Sequence, residues 1–244
     1  PNNFYQEAKM AKTNLTAADL NKLTEWDTPT ICNGLEHLSS EYRVKSFTVE
    51  QMQCFDPSLP PIIGYARTAM IRSMTPPEGK PEDIREMRAR YYETISAPPN
   101  PSISVIQDLD PTPGFGAFWG EVNTAIHKGL GCLGVVTNGS FRDIDACAPG
   151  FQLLGGKVAP SHAWVHLVAI ECEVNIFGMA VKPNDIIHAD RHGAVVVPEE
   201  CVKELPSAID LLTRREAVIL EVARSPGFNI EILKKAMADS AEIH

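Results

Sequence analysis

Between Phe151 and Val197 the chain is a succession of short apolar runs broken by tight turns, with helical patterns on either side. Val165 to Cys172, Met179 to Val181, Ile186 to Ala189 and Ala194 to Val197 read as strands, being brief, apolar and bounded by turn residues. Lys182-Pro-Asn-Asp185 and Asp190-Arg-His-Gly193 are the turns that join the last three, and Pro198 ends the final strand. Strands this short need sheet partners and a layer to cover their apolar face. Helices at both ends of a β-rich middle therefore predict an α/β layering.

The rest of the chain fits that frame. Thr16-Ala-Ala-Asp19 has the spacing of a capping box and opens a helix running to about Trp26. Thr28-Pro29 restarts a short helix carrying Ile31, Asn33 and Leu35. Ile62 to Ile71 and Ser102 to Leu109 read as strands. Between them a Pro-rich loop, Thr75 to Pro81, leads into a helix from about Glu82 to Ser96, which Ala97-Pro-Pro-Asn-Pro101 stops. A stiff loop, Asp110 to Gly116, precedes a helix from Trp119 to Leu130, a strand from Cys132 to Thr137 and a turn at Asn138-Gly139. Arg142 to Ala148 reads as a short helix, Val202 to Ala223 as a long one and Ile230 to Ala238 as the last. No repeat, low-complexity tail or interdomain linker interrupts the pattern, so residues 1–244 are expected to form one domain. Its core is placed at about 15–200 and a helical extension at about 201–244.

Composition removes several function classes. A net charge of −9 argues against nucleic acid as partner, since that binding needs a basic footprint. No apolar run approaches the ~20 residues of a membrane span. The start, Pro1 to Met10, is polar and lacks the apolar core of a secretory signal, and without an initiator Met the chain is expected to be trimmed or processed. The six cysteines form no CxxC pair and are expected to be small buried hydrophobes in a reducing cytoplasm.

Three places can carry chemistry. Gly120-Glu121-Val122-Asn123 opens a predicted helix, where unpaired N–H groups and the positive end of the dipole can bind a carboxylate; the plainer alternative is that Glu121 only complements the dipole. Arg142-Asp143 follows a strand end, with a planar guanidinium fork for a carboxylate or oxyanion and one hard oxygen ligand; the alternative is an ordinary Arg–Asp turn pair. Glu216 falls on the apolar stripe of the long C-terminal helix, with Leu205, Ile209, Leu212, Ile219 and Ala223. Either it is buried and paired or metal-bound, or the stripe ends before it and the carboxylate reaches solvent. Among the histidines His162 is the one singled out, while His166, His188 and His192 read as structural. Zinc, P-loop, dinucleotide and nucleophile-elbow motifs are absent. Lys157, after Gly155-Gly156, reads as solvated and not as a Schiff-base lysine.

Read in order, Trp119-Gly-Glu121, Gly131-Cys-Leu-Gly-Val-Val-Thr-Asn-Gly139, Arg142-Asp143, Val181-Lys-Pro-Asn-Asp185, Ala189-Asp-Arg-His-Gly193 and Val195-Val-Val-Pro198 resemble the RraA-like family. That family joins regulators of ribonuclease activity with divalent-metal 4-hydroxy-4-methyl-2-oxoglutarate and 4-carboxy-4-hydroxy-2-oxoadipate aldolases. The resemblance runs from about Leu15 to Ala223 and is most specific between Trp119 and Pro198. It implies a swivelling β/β/α-type α/β domain with flanking N- and C-terminal helices, assembled as a trimer or dimer of trimers with the site between subunits. Carried over, Asp143 binds the metal directly and Glu121, 21 positions before Arg142, holds it through water. The Val122 and Asn123 amides take the pyruvate carboxylate, and Arg142 assists the carbonyl. Glu216 reaches in from a neighbouring subunit, and His162 is placed with the substrate-binding residues.

Two departures stand out. The family's Asp-Gly is here Asn138-Gly139, and Asn33 stands where the first helix often carries an acid. Both remove negative charge near a cation. Asn184 in place of a turn glycine is tolerated, because Asn adopts the left-handed conformation. The implied function is a pyruvate aldolase using Mg²⁺ or Mn²⁺, splitting a 4-hydroxy-2-oxo acid and decarboxylating oxaloacetate on the side. The other reading is a non-catalytic regulator of a ribonuclease that works through protein contacts.

Overall fold

Thr16 starts the first helix by a reciprocal pair of bonds. Its hydroxyl accepts from the Asp19 N–H at 3.2 Å, and the Asp19 carboxylate accepts from the Thr16 N–H at 2.8 Å. The structure, a computed structural model, describes residues 15–244; the polar start read as lacking a signal lies outside the described residues. Helix α1 (Ala17–Leu23) buries Leu20 and Leu23. Asp27 then caps α2 (Thr28–Leu38) through the Thr30 N–H, with Pro29 in the first turn. Strands β1 (Gln53–Cys54) and β2 (Ile62–Arg72), helix α3 (Pro81–Ser96) and strand β3 (Ser102–Asp108) follow. Next come α4 (Glu121–Gly129), β4 (Cys132–Thr137), β5 (Ser140–Phe141), β6 (Gln152–Gly155) and β7 (Lys157–Val158). The chain continues through β8 (His166–Ile170), β9 (Val174–Ile176), β10 (Met179–Val181), β11 (Ile186–Asp190) and β12 (Gly193–Val197), and ends in α5 (Leu205–Ala223) and α6 (Ile230–Ala241).

The main sheet has eight strands in the order β1-β6-β4-β3-β2-β11-β12, with β8 pairing the far end of β2. Strands β2, β3, β4 and β6 are mutually parallel where they pair, while β11, β12, β8 and β1 join antiparallel. Two small ladders complete it, β9 with β10 and β5 with β7. Apolar clusters lie against both sides of the sheet: Ala66 of β2 with Ile103 and Val105 of β3 meets β9 and β10 on one side, and two clusters covered by helices lie on the other. Tyr91, Ile95, Trp119 and Phe151 pack around Ala69 and Ile71 of β2. Leu20, Leu23, Ile31, Leu35, Leu205 and Ile209 of α1, α2 and α5 cover Ile63 and the β11–β12 hairpin. This is the mixed α/β domain with flanking terminal helices that the pattern predicts. Among the described residues no helix is long and apolar enough to cross a membrane.

Three expectations are corrected. The helix expected over 142–148 is a single 3-10 turn, Ile144–Ala146, because Asp143 enters it in the left-handed conformation, φ 53° and ψ 43°. The helix expected from Trp119 begins at Glu121, since Trp119 bridges to Phe141 as an extended residue. The turn at 182–185 carries the chain from one sheet to another: β10 pairs with β9, while β11 pairs with β2 and β12. Of the cysteines, Cys132, Cys147 and Cys201 are buried and Cys32, Cys54 and Cys172 half-buried, all as free thiols. Burial pushes the Cys32 and Cys132 thiols up to about 11.

One buried network ties helices to sheet. The His127 ring donates from Nδ1 to the Asn123 carbonyl at 2.6 Å and accepts at Nε2 from the Tyr91 hydroxyl at 3.0 Å; that hydroxyl meets Ser104 Oγ at 2.7 Å. The arrangement needs a neutral imidazole, and burial depresses its pKa to about 4. His188, between Thr28 Oγ1 and the Leu23 carbonyl, is depressed for the same reason. A folded-state pKa below the unfolded one makes a contribution that is complete above the unfolded value, ~6.5, and is lost as pH falls toward the folded one. For His127 alone the loss is about 3 kcal/mol. Urea unfolding of the wild type should therefore weaken steadily between about pH 6.5 and pH 4. His127→Gln, less stable at neutral pH, should show a much flatter slope over that window; an unchanged slope would assign it to other groups.

Candidate functional site

The site is built where parallel strands end. After β4, the Asn138 amide clamps the end of β3, with Oδ1 accepting from the Asp108 N–H at 2.7 Å and Nδ2 donating to the Asp108 carbonyl at 3.0 Å. An Asp at 138 would lack the donor for the second bond. The amide is therefore used within the fold, which accounts for this departure from the family pattern in structural terms. Asp108 in turn accepts from the Asp110 and Gly114 N–H groups, and burial raises its carboxyl pKa. Thr137 Oγ1 donates to the Ile106 carbonyl and accepts from the Gly139 N–H. Together these bonds fix the chain as it leaves β4 for β5.

From β5 the chain passes straight into Arg142-Asp143. The Arg142 N–H donates to the Trp119 carbonyl at 2.9 Å, so residues 142–143 lie against the segment that opens α4. Gly120 is the point of contact. Its backbone is extended, φ −169°, which any residue adopts, but a Cβ there would lie 2.5 Å from Asp143 Oδ2. The glycine lets the carboxylate sit across the helix N-terminus, where Oδ2 accepts from the Glu121 N–H at 3.4 Å and meets Arg142 Nε at 3.5 Å. Both contacts are long, and the Arg142 and Asp143 side chains are each 36% exposed. The left-handed backbone of Asp143 is one that Asp tolerates better than most residues. It also lets the Asp143 carbonyl accept from the Ala146 and Cys147 N–H groups, which holds the turn.

The first turn of α4 presents its remaining N–H groups beside this carboxylate. Thr124 makes the first helical bond, to the Gly120 carbonyl, so the Val122 and Asn123 amides have no intrahelical acceptor. The N-cap residue, Gly120, has no side chain to cap them. Val122 is exposed. The Asn123 side chain is committed elsewhere: Nδ2 donates to the Phe118 carbonyl at 2.5 Å and Oδ1 accepts from the Tyr92 hydroxyl at 3.0 Å. Thr124 Oγ1 donates to the Glu121 carbonyl and accepts from the Ala148 N–H, joining the helix start to the chain after Asp143. Tyr92 and Thr124 are not legible as holding groups, because Asn123 and Ala148, their partners, are distant in sequence, and Asn138 stands out in the sequence only as a missing charge.

Glu121, Val122, Asn123, Arg142 and Asp143 thus come together on one face. Glu216 and Asn33 do not join them. The apolar stripe of α5 is buried only through Leu205, Ala208 and Ile209, and Glu216 lies beyond it, exposed. It shares a separate cleft of about 310 Å³ with Asn33, Glu36, His37, Arg43 and Leu212. His162 sits on the loop over Gly116 and Ala117, exposed, its Nδ1 donating to the Ala163 carbonyl at 2.7 Å. No hydrogen bond or ion pair joins it to Arg142 or Asp143 among the described residues. Lys157 runs its stem over Gly114, where a Cβ would lie 2.7 Å from Cε. Among the described residues no group of three or more His, Cys, Asp or Glu side chains converges to cage a metal.

A family model, RraA-like (Aldolase/RraA), matches residues 28–196. The chain is 32% identical over 107 residues to an uncharacterized protein of Methanocaldococcus jannaschii, covering 43% of this chain and 51% of that one. It is 27% identical over 97 residues to Protein DlpA of Legionella pneumophila, covering 36% and 15%. The chain thus matches about half the length, or less, of these curated relatives. Among solved structures it resembles an uncharacterized protein from Pseudomonas syringae pv. tomato, with TM-score 0.70, 20% identity and coverage of 96% of this chain and 99% of that one. It also resembles Streptomyces coelicolor RraAS2, described as an unusual member of the RNase ES inhibitor RraA protein family, with TM-score 0.66, 22% identity and coverage of 84% and 98%. At these identities the structural likeness is one of fold. The family match spans α2 to β12, including the Gly120 and Arg142-Asp143 surface and leaving Glu216 outside it, and over that span the chain belongs to the RraA-like family.

Proposed function

We propose that this chain is a divalent-metal-dependent pyruvate aldolase. It would cleave a 4-hydroxy-2-oxo acid to pyruvate and a carbonyl product, with oxaloacetate decarboxylation as a side activity. The observation that carries the reading is the meeting of an open carboxylate, a guanidinium and two unpaired helix amides around Gly120. The donor set fits a hard cation that keeps most of its own water: one exposed carboxylate, a second on the adjacent residue 121, and no His or Cys cluster among the described residues. Asp143 would hold Mg²⁺ or Mn²⁺ directly and Glu121 would reach it through water. When bound, the cation supplies Lewis acidity toward the carboxylate and carbonyl of the 2-oxo acid.

The chain's own groups do the rest. The Val122 and Asn123 N–H groups hold the C1 carboxylate at the positive end of α4. Arg142 donates to the C2 oxygen, which gains charge as the C3–C4 bond breaks and its electron pair moves into the enolate. The C4 hydroxyl proton passes to a carboxylate, Glu121 or a neighbouring subunit's Glu216, as C4 becomes a carbonyl. Protonation at C3 then completes pyruvate. Decarboxylation of oxaloacetate breaks a different bond and leaves the same enolate. His162 is proposed to line the outer part of the substrate site. The exposed position of Glu216 in its own subunit supports a role across an interface in a homotrimer or dimer of trimers. Six free thiols fit a reducing cytoplasm.

A panel of 4-hydroxy-2-oxo acids and oxaloacetate with Mg²⁺, scored by pyruvate release, tests the reading. Turnover with none of them by a folded oligomer would favour the regulator reading instead. Chelator should abolish pyruvate release and Mg²⁺ or Mn²⁺ restore it, because one direct ligand holds a cation weakly; full activity in excess chelator refutes the mechanism. Arg142→Ala should lower kcat by roughly 10²–10³ at an unchanged melting temperature, and Arg142→Lys should recover only part, having the charge without the planar fork. A melting shift with kcat unchanged would make the Arg–Asp pair structural. Asp143→Asn should raise the metal requirement as well as slow turnover. If Glu216 acts across the interface, co-assembly of Arg142→Ala with Glu216→Gln should restore about a quarter of wild-type turnover, since one random pairing in four keeps both residues. A fully active monomer, or no recovery from two well-folded variants, rules that arrangement out.

A further inference from the structure

A cleft of about 460 Å³ lies between β8, the Pro-rich loop before α3 and the first turns of α3. It shares no lining residue with the Arg142–Asp143 surface. Its size falls in the range of small-molecule sites. Strands β2 and β8 pair antiparallel with Arg72 directly opposite His166, so the two side chains stand on one face of the ladder. Arg72 has only a marginal partner: Asp110 Oδ1 is 3.9 Å away, and Asp110 Oδ2 already accepts from the Ser73 N–H, the Ser73 hydroxyl and the Met74 N–H. Its guanidinium, 44% exposed, keeps most of its donors. His166 donates from Nδ1 to the Trp164 carbonyl at 2.7 Å, which leaves Nε2 for a ligand. Two basic side chains directly opposite each other repel when both are charged. An anion between them removes that repulsion.

The remaining walls choose the anion. Ile84 and Met87, three residues apart on α3, share one face of that helix, and exposed Val168, the unpaired residue where the β2–β8 register shifts, also lines the cleft. They offer an apolar bed of a few side chains. Glu78 and Asp83 are the acids among the lining residues, and they repel a polyanion. We propose that this cleft binds a small monocarboxylate with an apolar or aromatic body, its carboxylate between Arg72 and His166 and its body against Ile84, Met87 and Val168. With Nδ1 donating, a neutral His166 can only accept at Nε2, so the carboxylate selects the protonated ring. The charged groups that line the cleft with His166 are Arg72 on β2, Glu78 on the loop and Asp83 on α3. Binding therefore tightens as pH falls, until the ligand's own carboxylate is protonated. This site stands apart from the aldolase reading and survives its failure.

Isothermal titration of the full chain with phenylacetate and hexanoate, against citrate and inorganic phosphate, tests it. The two monocarboxylates should bind at one site, more tightly at mildly acidic than at alkaline pH, and citrate and phosphate should not. Arg72→Gln should weaken phenylacetate about tenfold or more, the scale of a lost charge-assisted hydrogen bond. His166→Gln should flatten the pH dependence, and Arg142→Ala should leave binding as it is. Should Arg72→Gln prove unstable, Val168→Glu, at a site 38% exposed, places a repelling charge on the bed and should abolish binding in a folded chain. Phosphate or citrate binding as well as phenylacetate, wild-type affinity in Arg72→Gln or Val168→Glu, or loss of binding in Arg142→Ala would each overturn the proposal.

Discussion

Strand β2 is covered on both faces, and that burial constrains everything placed around it. It pairs with β3 along one edge and with β11 and then β8 along the other, and among the described residues it contributes to each of three apolar clusters. A polar group on such a strand has to find its partners within the protein. Arg67 does so with its two terminal nitrogens, which reach the carbonyls of Ala97 and Pro99, just past the end of α3, and the side chain of Asn184, with Nη1 to Oδ1 at 2.5 Å, while its Nε and Thr68 Oγ1 are buried without a hydrogen-bond partner among the described residues. A guanidinium at a helix C-terminus faces the negative end of the dipole, so the buried cation is matched by partial charges although no carboxylate among the described residues pairs with it. Burial lowers its pKa in the direction expected for that environment. Asn184 is thus more than a residue that tolerates φ 68° in a turn. Its amide fastens the β10–β11 connection to the central strand.

The same logic explains where chemistry gathers. Parallel strands β3 and β4 end together, and the groups at their ends are held by Asn138, Thr137 and Asp108 rather than by further ladder bonds. The chain leaving that clamp delivers Arg142 and Asp143 to the start of α4, where Asp143 Oδ2 accepts from the Glu121 N–H. Helix α4 is anchored from below by the His127–Tyr91–Ser104 network and from the side by Asn123 with Phe118 and Tyr92. Its free amides and the Asp143 carboxylate are therefore positioned by buried, rigid structure although they face solvent. Such an arrangement puts mobile-looking polar residues on a fixed support, the condition a binding or catalytic surface requires.

In the single chain this surface is open. The Arg142 and Asp143 side chains are partly exposed, and apolar Val122 and Ile144 stand out beside them, 69% and 45% exposed. Glu216 and Asn33 face a different cleft on α2 and α5. The first surface sets Arg142 beside the Asp143 carboxylate, and the second sets Glu36 and Glu216 beside His37 and Arg43, with Arg43 paired to Glu36 at 3.1 Å.

Much of the fold was legible in the sequence. Periodicity placed β4 and β10 to the residue, and the capping box and Thr28-Pro29 placed the starts of α1 and α2, because each of these signals is local. The order of motifs from Trp119 to Pro198 pointed to the family and to Glu121, Arg142 and Asp143. Sequence could not settle the path of residues 142–148, where Asp143 takes a left-handed backbone, nor the side of α5 on which Glu216 falls once the stripe gives out after Ile209. It also read Asn138 as a lost charge, whereas its two bonds to Asp108 make it a clamp. The sequence by itself determined the elements, whose causes lie within a few residues of each other. Only the tertiary structure decided which polar groups are used up inside the fold and which remain for a ligand, because a hydrogen-bond partner thirty or a hundred residues away leaves no trace in local pattern.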